Sequence, residues 1–129
     1  RVGIARCFAF VGPRLPLDQH FAIGNFIADV LAKRRITVRA VFPVFRSYMY
    51  SDYLVVWLLT MVDHASVDCP TYNVGSDEAI RLDELAKWMA EEYSLGVDLP
   101  EISLDKDMDR YVPEIRSAQR DLSLRLRFP

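Results

Sequence analysis

Two arginines carry the residue types and settings that could do chemistry. Arg46 stands in "FRSYMY" and Arg110 in "DRYVP", each among aromatics and each just ahead of a helix start. A guanidinium forks onto phosphate oxygens, and a helix N-terminus adds unpaired N–H donors, so such places suit a diphosphate. The competing reading of each is a solvated surface arginine. The two histidines, His20 and His64, have no serine or cysteine nucleophile signature beside them. His20 reads as a surface or capping residue at a helix start, and His64 as a dipole-complementing residue at a helix end. No G-x-G-x-x-G follows a strand, and no P-loop, H-E-x-x-H or C-x-x-C occurs. Cys7 and Cys69 sit in apolar contexts and read as reduced, buried thiols. Neither a metal site nor a catalytic residue is expected.

The composition bounds the class. The chain has 129 residues, 51% hydrophobic and 26% charged, with a formal net charge of −2. One domain over 1–129 is the expectation, of ordinary soluble type. There is no basic excess of the kind a nucleic-acid partner requires. The longest apolar run, Tyr53 to Val62, is short of the roughly 20 residues a membrane span needs. Cytoplasm is the default compartment.

The elements that must position the arginines follow from periodicity. Residues 2–11 form an apolar run of strand length, stopped by Gly12-Pro13 and suited to a buried central strand. A chain opening on such a strand reads as one that starts inside a larger fold. Phe21, Phe26, Ile27, Val30 and Leu31 recur at helical spacing within 20–35, ahead of the cations Lys33, Arg34 and Arg35. Residues 36–42 and 45–50 read as strands. Ser51 can cap a helix that runs to about Asp63, with Asp52 in its first turn. That helix is apolar nearly all round and is expected to be buried. Residues 70–75 read as a strand and 81–94 as an amphipathic helix with Leu82, Leu85, Ala86, Met89 and Tyr93 on one stripe. A short strand over 99–104 and a last helix from Pro113 to about Leu122 complete the order, with a loose tail.

Five stretches in order resemble the extended short-chain dehydrogenase/reductase family, the NAD-dependent nucleotide-sugar epimerases and dehydratases. "RSYMYSDYLV" is similar to the R-S-aromatic-x-Tyr-x-Asp-Asp-Leu-Val element, and "ARCFAFVGPR" to the strand and G-P turn after the catalytic region. "HFAIGNFIADVLAKRRITV" resembles the substrate-loop helix, "TYNVGSDEAIRLDELAKWM" the Y-N-V-G element, and "DRYVPEIRSAQRDLSL" the closing R-Y-x-P-D element.

The resemblance implies an α/β (mixed α+β) fold. It is the C-terminal, substrate-binding part of the enzyme, a partial sheet with packed helices. Residues 1–13 correspond to a late Rossmann strand, and the N-terminal Rossmann half is absent. It places Arg46 and Arg110 on a nucleotide-sugar diphosphate and Asn25 along the nucleotide, with Asp52, Tyr50 and Tyr111 in support. The complete enzymes use NAD, but the glycine-rich turn and the Tyr-x-x-x-Lys pair are missing here, so no cofactor and no turnover are expected of this chain alone. Three departures stand out. Ala9 replaces the substrate-contacting asparagine of the N-x-Y-G-P turn, "AVFPVF" replaces a glycine-rich loop, and Tyr53 replaces the second aspartate. Two readings follow. One is a fragment that binds nucleotide sugar weakly. The other is a non-catalytic interaction module on the same scaffold, a homodimer formed through its orphaned first strand.

Overall fold

The structure, a computed structural model, describes residues 1–17, 19, 21–103 and 107–126. His20 and the tail beyond residue 126 therefore lie outside the described residues. In chain order the first elements are β1 (Ile4–Cys7), β2 (Phe10–Val11), α1 (Ala22–Leu31), β3 (Ile36–Thr37), β4 (Val44–Arg46) and β5 (Met49–Tyr50). Next come α2 (Ser51–Asp63), β6 (Thr71–Val74), β7 (Ile80–Arg81), α3 (Leu82–Glu92), β8 (Val97–Asp98), β9 (Asp109–Tyr111) and α4 (Arg116–Leu122). This is a mixed α/β chain of partial sheets with helices packed on them.

The elements gather into two compact units, each made of separated stretches. The first comprises Arg1–Pro13, Ser47–Ala79 and Tyr111–Pro129, and the second Arg14–Arg46 and Ile80–Arg110. In the first unit β1 pairs in parallel with β6, from Ile4↔Thr71 to Cys7↔Val74. There too β2 pairs in parallel with β5. Its core joins Met49, Trp57, Met61, Val74, Ile115, Ala118, Leu122 and Leu124. In the second unit β3 and β8 pair in parallel, and β4 lies between β7 and β9. Its α3 buries Leu82, Leu85, Ala86 and Met89, the stripe read from the sequence. Tyr93 falls just past the helix end and is exposed.

Several expectations are corrected. The apolar run 2–11 is two strands with a break at Phe8-Ala9, and β1 is mostly exposed rather than buried. Cys7 on that strand is an exposed thiol and Cys69 is half-buried. Helix α2 buries only Trp57 and Met61 and leaves Val55, Val56, Leu59 and Val62 exposed. Ser51 is the first helical residue rather than the cap. Tyr50 holds the cap position, and no side chain caps the helix. The strand of the charged region is β9, whereas Leu99–Ser103 carries none.

Candidate functional site

Arg46 closes β4, and Asp109 opens the neighbouring β9. The Arg46 Nη2 meets the Asp109 carboxylate at 2.6 Å. Its Nη1 donates to the Phe45 carbonyl at 2.8 Å and to the Asp109 carbonyl at 3.4 Å. The guanidinium thus caps the end of the β4–β9 ladder, which accounts for its being only about a quarter exposed. The next residue along β9 is Arg110. Its guanidinium carbon lies 5.7 Å from the centre of the Phe45 ring, a cation–π contact that leaves the N–H edges free for an anion.

Arg46 and Arg110 stand on adjacent strands of one sheet, but each contacts the other's chain neighbour. Because successive strand residues face opposite sides, the two guanidiniums leave the sheet from opposite faces rather than converging as the sequence suggested. Arg46 is neutralised by Asp109, whereas Arg110 has no carboxylate partner among the described residues. The sequence signal for both arginines was their aromatic context. Asp109 was not among the residues read from the sequence as belonging to the site.

Asn25 lies on α1 in the same unit. It lines a cavity of about 610 Å3 together with Thr37, Arg39 and the ion pair Asp29–Arg34. The pair is close, 2.9 Å, so the cation of that wall left without a carboxylate among the described residues is Arg39. The hollow can take a flat, polar, partly anionic group.

The three supporting residues belong to the first unit. Tyr50 and Asp52 flank the start of α2 and line a second cavity. Tyr111 stacks on Phe8, with ring centres 4.7 Å apart. Of the histidines, His64 caps α2, its Nδ1 2.9 Å from the Thr60 carbonyl oxygen. Among the described residues no cluster of His, Cys, Asp or Glu could hold a metal ion.

No protein-family model matches the chain. Curated relatives do. UDP-glucuronic acid decarboxylase 1 of Arabidopsis thaliana is 29% identical over 95% of this chain and 28% of its own length. UDP-glucuronic acid decarboxylase 3 of the same plant is 25% identical over 99% of this chain and 43% of its length. UDP-glucuronic acid decarboxylase 1 of Xenopus tropicalis is 26% identical over 92% and 28%. The chain thus spans less than half the length of these relatives.

Among solved structures, MoeE5 in complex with UDP-glucuronic acid and NAD superimposes with a TM-score of 0.79 at 20% identity. That match covers 99% of this chain and 42% of MoeE5. The dTDP-glucose 4,6-dehydratase of Bacillus anthracis, solved with NAD, gives 0.78 at 12% identity over 96% and 39%.

Proposed function

We infer from this likeness to part of the NAD-dependent nucleotide-sugar enzymes that the chain corresponds to their C-terminal, substrate-binding portion and binds a nucleoside-diphosphate sugar. Arg46 and Arg110 hold the diphosphate, and the Asn25 cavity takes part of the nucleotide. The observation that carries this reading is the match of nearly the whole chain to part of UDP-glucuronic acid decarboxylases and of a structure solved with UDP-glucuronic acid. The names of the relatives favour a uridine nucleotide and a uronic acid.

Chemistry on the sugar requires groups this chain does not supply. A dinucleotide cradle needs a glycine turn between strand and helix, so that backbone can approach the pyrophosphate. Here β5 runs straight into α2 at Tyr50–Ser51, and β7 into α3 at Arg81–Leu82, with side chains where glycines belong. These junctions do not fit NAD, and no step through it is derived. The chain binds without turning over.

Calorimetric titration with UDP-glucuronic acid tests the reading. The expected result is binding in the high-micromolar to millimolar range that weakens as salt rises. Absence of heat at millimolar ligand with folded protein overturns it.

A second reading, an interaction module, is favoured by a separate observation. In the first unit β1 presents an open parallel edge, and Val2, Ile4, Val55, Val56, Leu59 and Val62 are all exposed. Parallel strands are ordinarily covered on both faces, and exposed apolar patches mark contact surfaces. Association into a homodimer covers both. Sedimentation velocity showing a monomer at 100 µM or so, far above the range of a specific dimer, counts against it.

A further inference from the structure

The first unit contains a hollow of about 1000 Å3 whose wall is unusually aromatic. Tyr48, Tyr50 and Tyr53 line it with Trp57, and Asp52 and Arg125 stand among them. In the aromatic hollow, Asp52, Arg125 and the hydroxyls of Tyr50 and Tyr53 have no hydrogen-bond or ion partner among the described residues. The indole N–H of Trp57 is buried, at 0% exposure for the residue, and has no acceptor. A buried donor without a partner is costly, on the order of 1–3 kcal/mol, and asks for an explanation.

An apolar hollow with a few unpaired polar groups has the make-up of a small-molecule site. Its chemistry narrows the ligand. The aromatic walls want a flat or ring-shaped body. Asp52 and Arg125 cancel in charge, so neither an anion nor a cation is favoured overall. The ligand must offer a donor to Asp52 and acceptors to Arg125 and Trp57. A hydroxyl does both, and a ring bearing several hydroxyls does both repeatedly. We propose that this cavity binds an uncharged sugar ring. One face lies on the tyrosines, one hydroxyl donates to Asp52, and others accept from Arg125 and the Trp57 N–H. The proposal stands on first-unit residues alone and does not rest on the diphosphate reading, whose arginines lie in the second unit. It does give Tyr50 and Asp52 a role other than the supporting one the resemblance implies.

The test uses the full chain carrying Trp88→Phe, so that of its two tryptophans only Trp57 reports. Methyl β-D-glucopyranoside is the probe. A saturable change in Trp57 emission is expected, with a half-point in the millimolar range that so small a ligand permits. Asp52→Asn and Arg125→Ala, both at exposed positions, are each expected to raise that half-point about fivefold or more. The pair Arg46→Ala, Arg110→Ala leaves it unchanged. A response that stays linear up to about 100 mM glycoside, well beyond specific binding, overturns the proposal. So does saturation by L-phenylalanine with none by the glycoside, because the site would then select a zwitterion. Loss of far-UV circular dichroism in a variant disqualifies that variant, and the remaining one decides.

Discussion

At the scale of single residues, Asp109 governs what Arg46 can do. The carboxylate sits 2.6 Å from the guanidinium, so an incoming phosphate must displace it or share the cation with it. Asp109→Asn removes that rival and a negative charge from the site. We expect UDP-glucuronic acid to bind about three- to tenfold more tightly to this variant, a change calorimetry resolves. Arg110 has no carboxylate partner among the described residues, and on the proposed reading its removal deletes a charge-assisted contact to ligand. Arg110→Ala is expected to weaken binding about tenfold or more while leaving the melting temperature within a degree or two. Both arginines were visible in the sequence, because an arginine flanked by aromatics ahead of a helix is a local pattern. Asp109 was not legible as the partner of Arg46, for the two are 63 residues apart and no local signal joins them.

At the scale of elements, Asp83 in the first turn of α3 is held by ion pairs rather than by a capping bond. It is buried, and both its oxygens accept from Arg81, at 2.9 and 2.7 Å, with Lys87 at 3.7 Å. Burial alone would push this carboxyl up. The Arg81 hydrogen bonds, with the Arg81 and Lys87 charges, outweigh it and hold the group below the usual carboxylate range. A depressed value means stability that is fully present above the unfolded carboxylate pKa of about 4 and is lost as pH falls through the folded one. Asp83→Ala is expected to cost about 2–4 kcal/mol in urea unfolding at neutral pH and to flatten the acid side of the stability profile.

Two glycines give a sharper contrast. A Cβ at Gly12 would collide with the Ser51 side chain, its Cβ 2.8 Å away, at the start of α2. A Cβ at Gly96 would meet the far end of Arg35, which can swing aside, although Arg35 would then release Asp98. Gly12→Ala is therefore expected to lower the melting temperature more than Gly96→Ala.

The amphipathic α3 was readable because its apolar stripe repeats at helical spacing over a polar face. Helix α2 was readable in its bounds but not in its burial, since an all-apolar helix says that something covers it but not what. Strand β9 escaped because "DRY" lies among charges and has no alternation to betray it.

At the scale of the whole molecule, the exposed apolar face and the near-neutral balance act together. A net charge of −2 offers little repulsion between copies, so the surface of β1 and α2 is free to associate. Leu59→Glu, at a position 63% exposed and on the stripe with Val55 and Val62, is expected to shift sedimentation toward monomer without loss of helical signal. If Leu59→Glu and the parent sediment alike, the interface lies elsewhere. No helix among the described residues is long and apolar enough to cross a membrane.

The fold class was legible at this scale because the motif order runs the length of the chain. The division into two units was not, since their boundaries fall at Pro13, Ser47, Ala79 and Tyr111, and only the first of these is a breaker that punctuates the sequence.

That interleaving has a kinetic consequence. Each parallel pair joins distant stretches: Ile4 waits for Thr71, Phe10 for Met49 and Ile36 for Val97. Long closures are entropically slow to make. During N-to-C synthesis β1 is made well before its mate β6, and the core around Trp57 stays unfinished until Leu124 follows. Greasy segments stay unsatisfied over that interval, and should lean on holding chaperones until their mates arrive.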